Sequence, residues 1–363
     1  MNVHSFEGDP AAAIIAEDKA GIEQLIVVAK RTYAIDSSGK TSKARDPVGL
    51  CFADEHHGDP ASSSVRYEND FAPFKPMCDV IVNGSACAPG GRPTSAMTVQ
   101  LQFGKLVRRA RVVGDRVWRS RWILPPAPSG PKPFTRMPIV WERAFGGSDT
   151  RPKNPKRHVF ETRNLLGVGL RAGVAGAGPV GSPLPNIEAQ DAPVQSWKKS
   201  YTPVGFGFVP RGSEWRTRHA GTYDQQWIDE RCPFLPDDFD ERYYQGAPPE
   251  QIVPTPVGGE RVRLTGFTPE GTLEFRLPEA QGPPMRVRLP SGYSELAARL
   301  DTIVIEPDER RVIFTWRARA PLPCKPTDVG IILVGVPTRG WERSQRAVKS
   351  YVDWKRFLPP VEV

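Results

Sequence analysis

Long apolar runs, paired cysteines and clustered histidines are all scarce in this 363-residue chain. Each scarcity excludes something. The densest apolar stretch, Val329 to Val336, is less than half the roughly 20 residues that a membrane-spanning helix needs. The segment Met1 to Asp9 has neither the basic start nor the apolar core of a secretory signal, so a soluble, cytoplasmic protein is expected. The five cysteines (Cys51, Cys78, Cys87, Cys232 and Cys324) are odd in number and form no Cys-x-x-Cys pair. They read as reduced thiols rather than a disulfide framework or a zinc site. Of five histidines, only His56 and His57 are neighbours, within Asp54-Glu55-His56-His57-Gly58-Asp59. Adjacent residues on a strand face opposite ways, so a solvated turn is the simpler reading and metal binding there stays open.

Catalytic signatures are equally thin. There is no Gly-x-Ser-x-Gly elbow, phosphate-loop lysine motif or His-Glu-x-x-His. Ser196-Trp197-Lys198-Lys199 fits Ser-x-x-Lys but lacks its companion motifs. Gly176-Ala177-Gly178-Pro179-Val180-Gly181 fits the dinucleotide pattern, which works only where a helix opens on it. Ser182-Pro183-Leu184-Pro185 follows instead and cannot open one, so a glycine-rich loop and no cofactor are expected.

What the chain does have is 39 prolines and 33 glycines, about a fifth of its length, with 9 Trp and 16 Phe. Proline breaks helix interiors, and bulky aromatics at this density normally find a core. A mostly β fold follows: antiparallel, sandwich-like N-terminal (1–125) and C-terminal (258–363) lobes. Between them lies a largely irregular middle (126–257) carrying short helices. One globular domain is equally compatible with the length.

In the first segment, Leu25 to Ala29 running into Thr32 to Ile35, Val80 to Val82, and Thr98 to Phe103 read as strands. The last alternates apolar Val99, Leu101 and Phe103 with polar neighbours. Asn83-Gly84 and Gly114-Asp115-Arg116 read as hairpin turns, the second between Arg111-Val113 and Val117-Trp118. In the middle, helices are expected at Tyr223 to Arg231 and Asp237 to Tyr244. In the last segment, Arg261–Leu264 should pair with Thr272–Leu277. Asp301–Glu306 should pair with Arg310–Trp316 across Pro307-Asp308, placing Val312, Phe314 and Trp316 on one face and Ile313 on the other. The basic, aromatic stretch Arg339 to Phe357 suits a short helix.

Several phrases recur in an order that resembles a known family. They are Asp70-Phe71-Ala72-Pro73-Phe74-Lys75-Pro76, Asp79 to Gly84, Ala88 to Gly91, and Val113 to Trp118. Next come Met137-Pro138-Ile139-Val140-Trp141-Glu142-Arg143-Ala144-Phe145-Gly146-Gly147 and Leu184 to Glu188, then Gly221 to Asp224 and Pro236 to Asp240. From about Gly21 to Trp316 the chain resembles the domain of unknown function 2169 family, whose members sit in bacterial type VI secretion gene clusters. One departure is visible: where the family usually has Asn-Pro-x-Gly, Asn154-Pro155 is separated from Gly167-Val168-Gly169 by a basic stretch. The resemblance implies a non-enzymatic adaptor or chaperone that binds an effector protein and helps load it onto the spike or spike-tip protein. It implies no catalytic residues.

A protein that grips another needs exposed Trp, Tyr and Arg anchors. Trp141, Arg143 and Phe145 would share one face of extended chain, though the simpler reading packs the two aromatics in the core while Glu142 and Arg143 hydrogen-bond nearby loops. Trp215, Tyr223 and Trp227 are further candidates on the same terms. Lys105 to Arg121 holds seven basic residues against Asp115 alone, and Arg108 and Arg111 there would meet an acidic partner. Two other classes compete. A hydrolase would use a carboxylate pair among Asp224, Asp229, Glu230, Asp237, Asp238, Asp240 and Glu241, and a nucleic-acid-binding module would use the 105–121 stretch.

Overall fold

A computed structural model describes residues 1–171 and 179–347. It is mostly β, with several mixed and antiparallel sheets and few helices. The strand Glu23–Ile35 is apolar and buried without interruption from Leu25 to Ala29, the pattern of a strand covered on both faces. It lies in a seven-stranded sheet ordered Ile252–Val253, Cys78–Val82, Arg299–Glu306, Arg311–Pro321, Glu23–Ile35, Ala11–Glu17, with Thr41–Lys43 also paired to Glu23–Ile35. Cys78–Val82 runs parallel to Arg299–Glu306; the other pairs are antiparallel. A five-stranded antiparallel sheet follows the order Ile187–Ala189, Leu106–Val113, Ala96–Phe103, Arg261–Thr265, Thr272–Arg276. A four-stranded sheet joins Asn2–Ser5, Ile331–Val334, Met285–Leu289 and Gly292–Leu296.

The first two sheets share one core. Val312, Phe314 and Trp316 lie in it with Val80, Val82 and Ile303, and so do Val99, Leu101, Phe103, Val262 and Leu264. Ile313 points the other way, into a smaller cluster with Ile81, Val304, Tyr67 and Phe208. Residues of the 48–67 segment, with Phe208 and Ala247 of the irregular middle, therefore cover the outer face of the large sheet. Both large sheets also draw strands from residues 1–125 and from residues 258–363, so the terminal segments interleave.

Two expected hairpins do not form. Asn83-Gly84 does not turn Val80–Val82 back on itself: the next strand, Ser85–Cys87, pairs with Arg136–Pro138 instead. Gly84 is needed because Pro307 crosses it; an added Cβ would sit 2.9 Å from the proline ring. Gly114 likewise lets the Lys132 carbonyl pass, 1.8 Å from where a Cβ would be. Past it, Trp118–Arg121 pairs with Leu124–Pro128 rather than with Arg111–Val113. The pairings of Arg261–Thr265 with Thr272–Arg276 and of Arg299–Glu306 with Arg311–Pro321 are as expected.

Of the two middle helices, Gln225–Glu230 forms behind an Asp224 cap. Only Glu241–Tyr244 of the second is helical, as a 3₁₀ turn capped by Asp240; Asp237 and Asp238 make a turn before it. A further helix spans Arg339–Arg346, and the rest of the stretch to Phe357 lies almost wholly outside the described residues, as does Gly176–Gly178. No described helix is long and apolar enough to cross a membrane.

Candidate protein-binding surface

The Trp141 phrase bends instead of extending, and this decides its role. Trp141–Arg143 is a 3₁₀ turn, so residues 141, 143 and 145 do not share an exposed face. Trp141 is 1 % exposed. Its indole N–H donates to the Phe208 carbonyl at 2.7 Å and its ring meets Trp215 edge-on. Phe145 is buried against Tyr201, and the Asn164 amide donates to the carbonyls of both Trp141 and Phe145. Arg143 donates to Asn186 at 3.0 Å. Trp141, Phe145 and the half-buried Trp215 thus pack the interior and are not presented to a partner. Arg108 is also withdrawn: it is buried, donates to the Gly205 carbonyl and pairs with Glu250. Arg111 is half-buried, opposite Thr98 and Glu188 on neighbouring strands.

Tyr223 and Trp227 are different. Asp224 accepts the Trp227 amide at 2.9 Å and starts the short helix, which sets Tyr223 edge-on to Trp227 with ring centres 4.8 Å apart. Trp227 Nε1 donates to the Phe234 carbonyl. Phe234 in turn covers Gly21, where a Cβ would lie 2.7 Å from its ring, and Arg231 donates to the Lys19 carbonyl. The helix is thereby pinned to the turn between Ala11–Glu17 and Glu23–Ile35. Around it Ile22, Tyr223, Ile228 and Phe234 are exposed (51, 53, 53 and 39 %). Clustered exposed apolar side chains with a polar rim mark interaction sites.

The rim is acidic, and its carboxylates are occupied. Asp229 and Glu230 accept from Gln225 and Gln226, and Asp237 pairs with Arg231. Asp238 accepts from Thr222, Asp240 takes Arg242, and Glu241 pairs with Arg319. Hydrogen bonds from Thr222 hold Asp238 below its usual pKa, and Arg242 pulls Asp240 down to about 2. A general acid needs the opposite shift. Asp224, Glu230, Asp237 and Asp238 do border one depression, but it is only about 190 Å³.

A larger cleft of about 460 Å³ opens between Phe52, Phe71, Arg211, Arg216 and Tyr244. Phe52, 70 % exposed, stacks on Phe71 at 5.0 Å, and Asp54 takes Arg211 at 2.6 Å. Below it lies a buried network of four cations and four anions. Glu68 takes Arg216. Lys75 reaches Asp79 at 2.7 Å and Glu68 at 4.0 Å. Arg317 holds Asp301 at 2.6 Å and the Asp70 carbonyl, and Lys30 pairs with Asp70 at 2.6 Å. Asp79 also accepts from Gln245, Gly246 and Ala247, so it ties the large sheet to the irregular middle.

The remaining candidates do not assemble. Among the described residues no three of His, Cys, Asp and Glu come together as a metal site. The Ser196 hydroxyl accepts the Lys198 amide within a turn. Arg108 and Arg116 of the basic stretch are buried against Glu250 and Glu188, which interrupts any continuous basic ridge. Sequence reasoning missed the pair Trp122 and Ile123, 96 % and 87 % exposed at a hairpin tip; their only signal is that they follow Arg119 and Arg121.

Fold and surface together define a mixed-sheet β protein whose prominent features are exposed apolar groups around a buried, ion-paired interior. The chain belongs to the bacterial family described as "uncharacterized protein conserved in bacteria (DUF2169)", whose model matches residues 20–317. No curated protein and no solved structure matches it.

Proposed function

We propose that this protein acts by holding other proteins: a cytoplasmic, non-enzymatic adaptor or chaperone of type VI secretion that binds an effector and helps load it onto the spike or spike tip. The secretion context comes from the resemblance of the motif series. The observation that carries the binding role is the patch of Ile22, Tyr223, Ile228 and Phe234, gathered around a capped helix and bordered by carboxylates. Aromatic anchors within a polar rim are where binding energy concentrates. The hydrolase reading is weakened by carboxylates already engaged in caps and ion pairs, and the nucleic-acid reading by the burial of Arg108 and Arg116.

The test is co-purification of the full chain with the effector and spike proteins encoded beside its gene. A complex with either is expected, and Tyr223→Ser with Ile228→Ser should weaken it about tenfold or more, as truncating interface anchors does. Binding to neither, with secretion of the effector intact after gene deletion, would overturn the reading.

A further inference from the structure

The hairpin Trp118–Arg121 with Leu124–Pro128 has a fixed base and a free tip. At the base, Trp118 is 2 % exposed and packs with Leu184 and Val194. Its amide donates to the Ser182 carbonyl, its carbonyl accepts from Gly181, and Ser129 closes the two chains on Val117. Beyond that clamp residues 119 to 125 are all exposed. Trp122 and Ile123 form the two-residue loop between paired Arg121 and Leu124. Trp122 has φ +48°, the left-handed region that a hairpin loop fills at least cost with glycine or asparagine. A bulky aromatic there, contributing almost no burial, works against the folding of the hairpin that carries it. Backbone strain of this kind collects at functional positions.

The chemistry of the tip restricts what it meets. Arg119 and Arg121 form no ion pair among the described residues, so their charge is available. Pro125, Pro126 and Pro128 lack the N–H that an added strand would need, so contact is made through side chains rather than by extending the sheet. Two arginines fall short of the roughly four to eight basic residues that mark recognition of anionic lipid, and Trp with Arg is the composition of protein hot spots.

We propose that this hairpin is a docking finger: Trp122, Ile123 and Leu124 enter an apolar pocket on a second protein, and Arg119 and Arg121 meet carboxylates at the pocket's rim. The inference rests on the reading that the protein works by binding other proteins. It names a surface and a partner chemistry which that reading does not require. The patch around Tyr223 is itself acid-rimmed, but docking there on a second copy would join two different surfaces head to tail and build rings or filaments.

The full chain, its Trp122→Gly and Trp122→Ser variants and the Arg119→Glu/Arg121→Glu variant are titrated with the purified effector and spike-tip proteins encoded beside its gene. Parallel samples receive vesicles containing 30 % phosphatidylserine, and each is sized alone by light scattering. Trp122→Gly should fold with an unchanged melting temperature, because glycine suits this φ and little packing is lost. Both Trp122 variants should weaken one of the two complexes about thirtyfold or more. Charge reversal should weaken it at least tenfold and remove most of its salt dependence. Unchanged affinity in all variants overturns the finger while leaving the adaptor reading intact. No complex by the wild-type chain overturns the finger and, with effector secretion intact after gene deletion, the adaptor reading as well. Vesicle binding that depends on Trp122, concentration-dependent self-assembly that depends on it, or a clear fall in the Trp122→Gly melting temperature each overturns the proposal.

Discussion

Asp79 is the most informative residue to remove. It is fully buried and receives four donors: Lys75 at 2.7 Å, the Gln245 amide at 2.6 Å, and the backbone N–H groups of Gly246 and Ala247 at 2.8 and 3.2 Å. Asp79→Ala strands all four and leaves the Lys75 ammonium with Thr302 at 3.1 Å and Glu68 at 4.0 Å, the latter already committed to Arg216. Removing one member of a buried pair costs about 3–5 kcal/mol, a large part of the roughly 5–15 kcal/mol that holds a protein folded. Lys75→Met breaks the same pair and also loses the bond to Thr302, but should cost less than Asp79→Ala, because Asp79 keeps three amide donors. The double variant should be less damaged than the sum of the two, by 1 kcal/mol or more. Urea unfolding followed by tryptophan fluorescence measures all three. An Asp79→Ala loss under about 1 kcal/mol, or a Lys75→Met loss equal to it, would refute the assignment of Asp79 as hub.

Three further outcomes follow from the same geometry. A methyl group at Gly205 would lie 2.7 Å from the Trp141 ring, so Gly205→Ala should destabilise by about 1–3 kcal/mol, the usual cost of overpacking, seen as a lower urea midpoint. Thiol labelling at pH 8 should modify exposed Cys232 first and Cys324 next. Cys51, Cys78 and Cys87 should react only on unfolding, since they are buried and burial raises their pKa, Cys51 to about 11; fast native labelling of Cys78 would contradict the core packing. The Asp240 pKa is depressed to about 2 by Arg242, so its contribution is fully present above pH 4 and lost as pH falls through about 2. Asp240→Asn should therefore flatten the acid limb of the stability profile between pH 4 and 2 and leave neutral pH nearly unchanged in slope.

What was legible in the sequence is the part governed by local pattern. Val99, Leu101 and Phe103 alternate because their strand has one buried face. The Pro307-Asp308 turn and the Asp224 cap are each set by a few adjacent residues. What was not legible depends on distant chain. Gly84 and Gly114 look like turn glycines, yet each is required by a crossing segment, Pro307 in one case and Lys132 in the other. The parallel pairing of Cys78–Val82 with Arg299–Glu306 joins strands more than 200 residues apart, and no local signal encodes it. Lys75 and Asp79 are buried, which such residues seldom are unless paired, and Asp79's further partners Gln245, Gly246 and Ala247 lie far along the chain, so nothing local in the sequence marks them as a hub. A boundary near Pro125, where prolines begin to recur, cuts through the hairpin Trp118–Pro128, because Pro125, Pro126 and Pro128 belong to its second strand.

The phrases that carry the family resemblance point mainly inward. Asp70, Lys75 and Asp79 belong to the buried network, Trp141 and Phe145 to the core, and Asp224 and Asp240 to helix caps. They specify a scaffold, and a scaffold can be kept while its surface is redirected. The Trp122 tip lies outside all of those phrases, and of the Tyr223 patch only Tyr223 lies within one. If partner choice resides on such elements, exchanging the hairpin tip for another member's should transfer binding preference without altering stability, whereas exchanging the Asp70–Asp79 segment should alter stability without transferring preference. That opposite pair of responses is what separates a framework motif from a recognition motif.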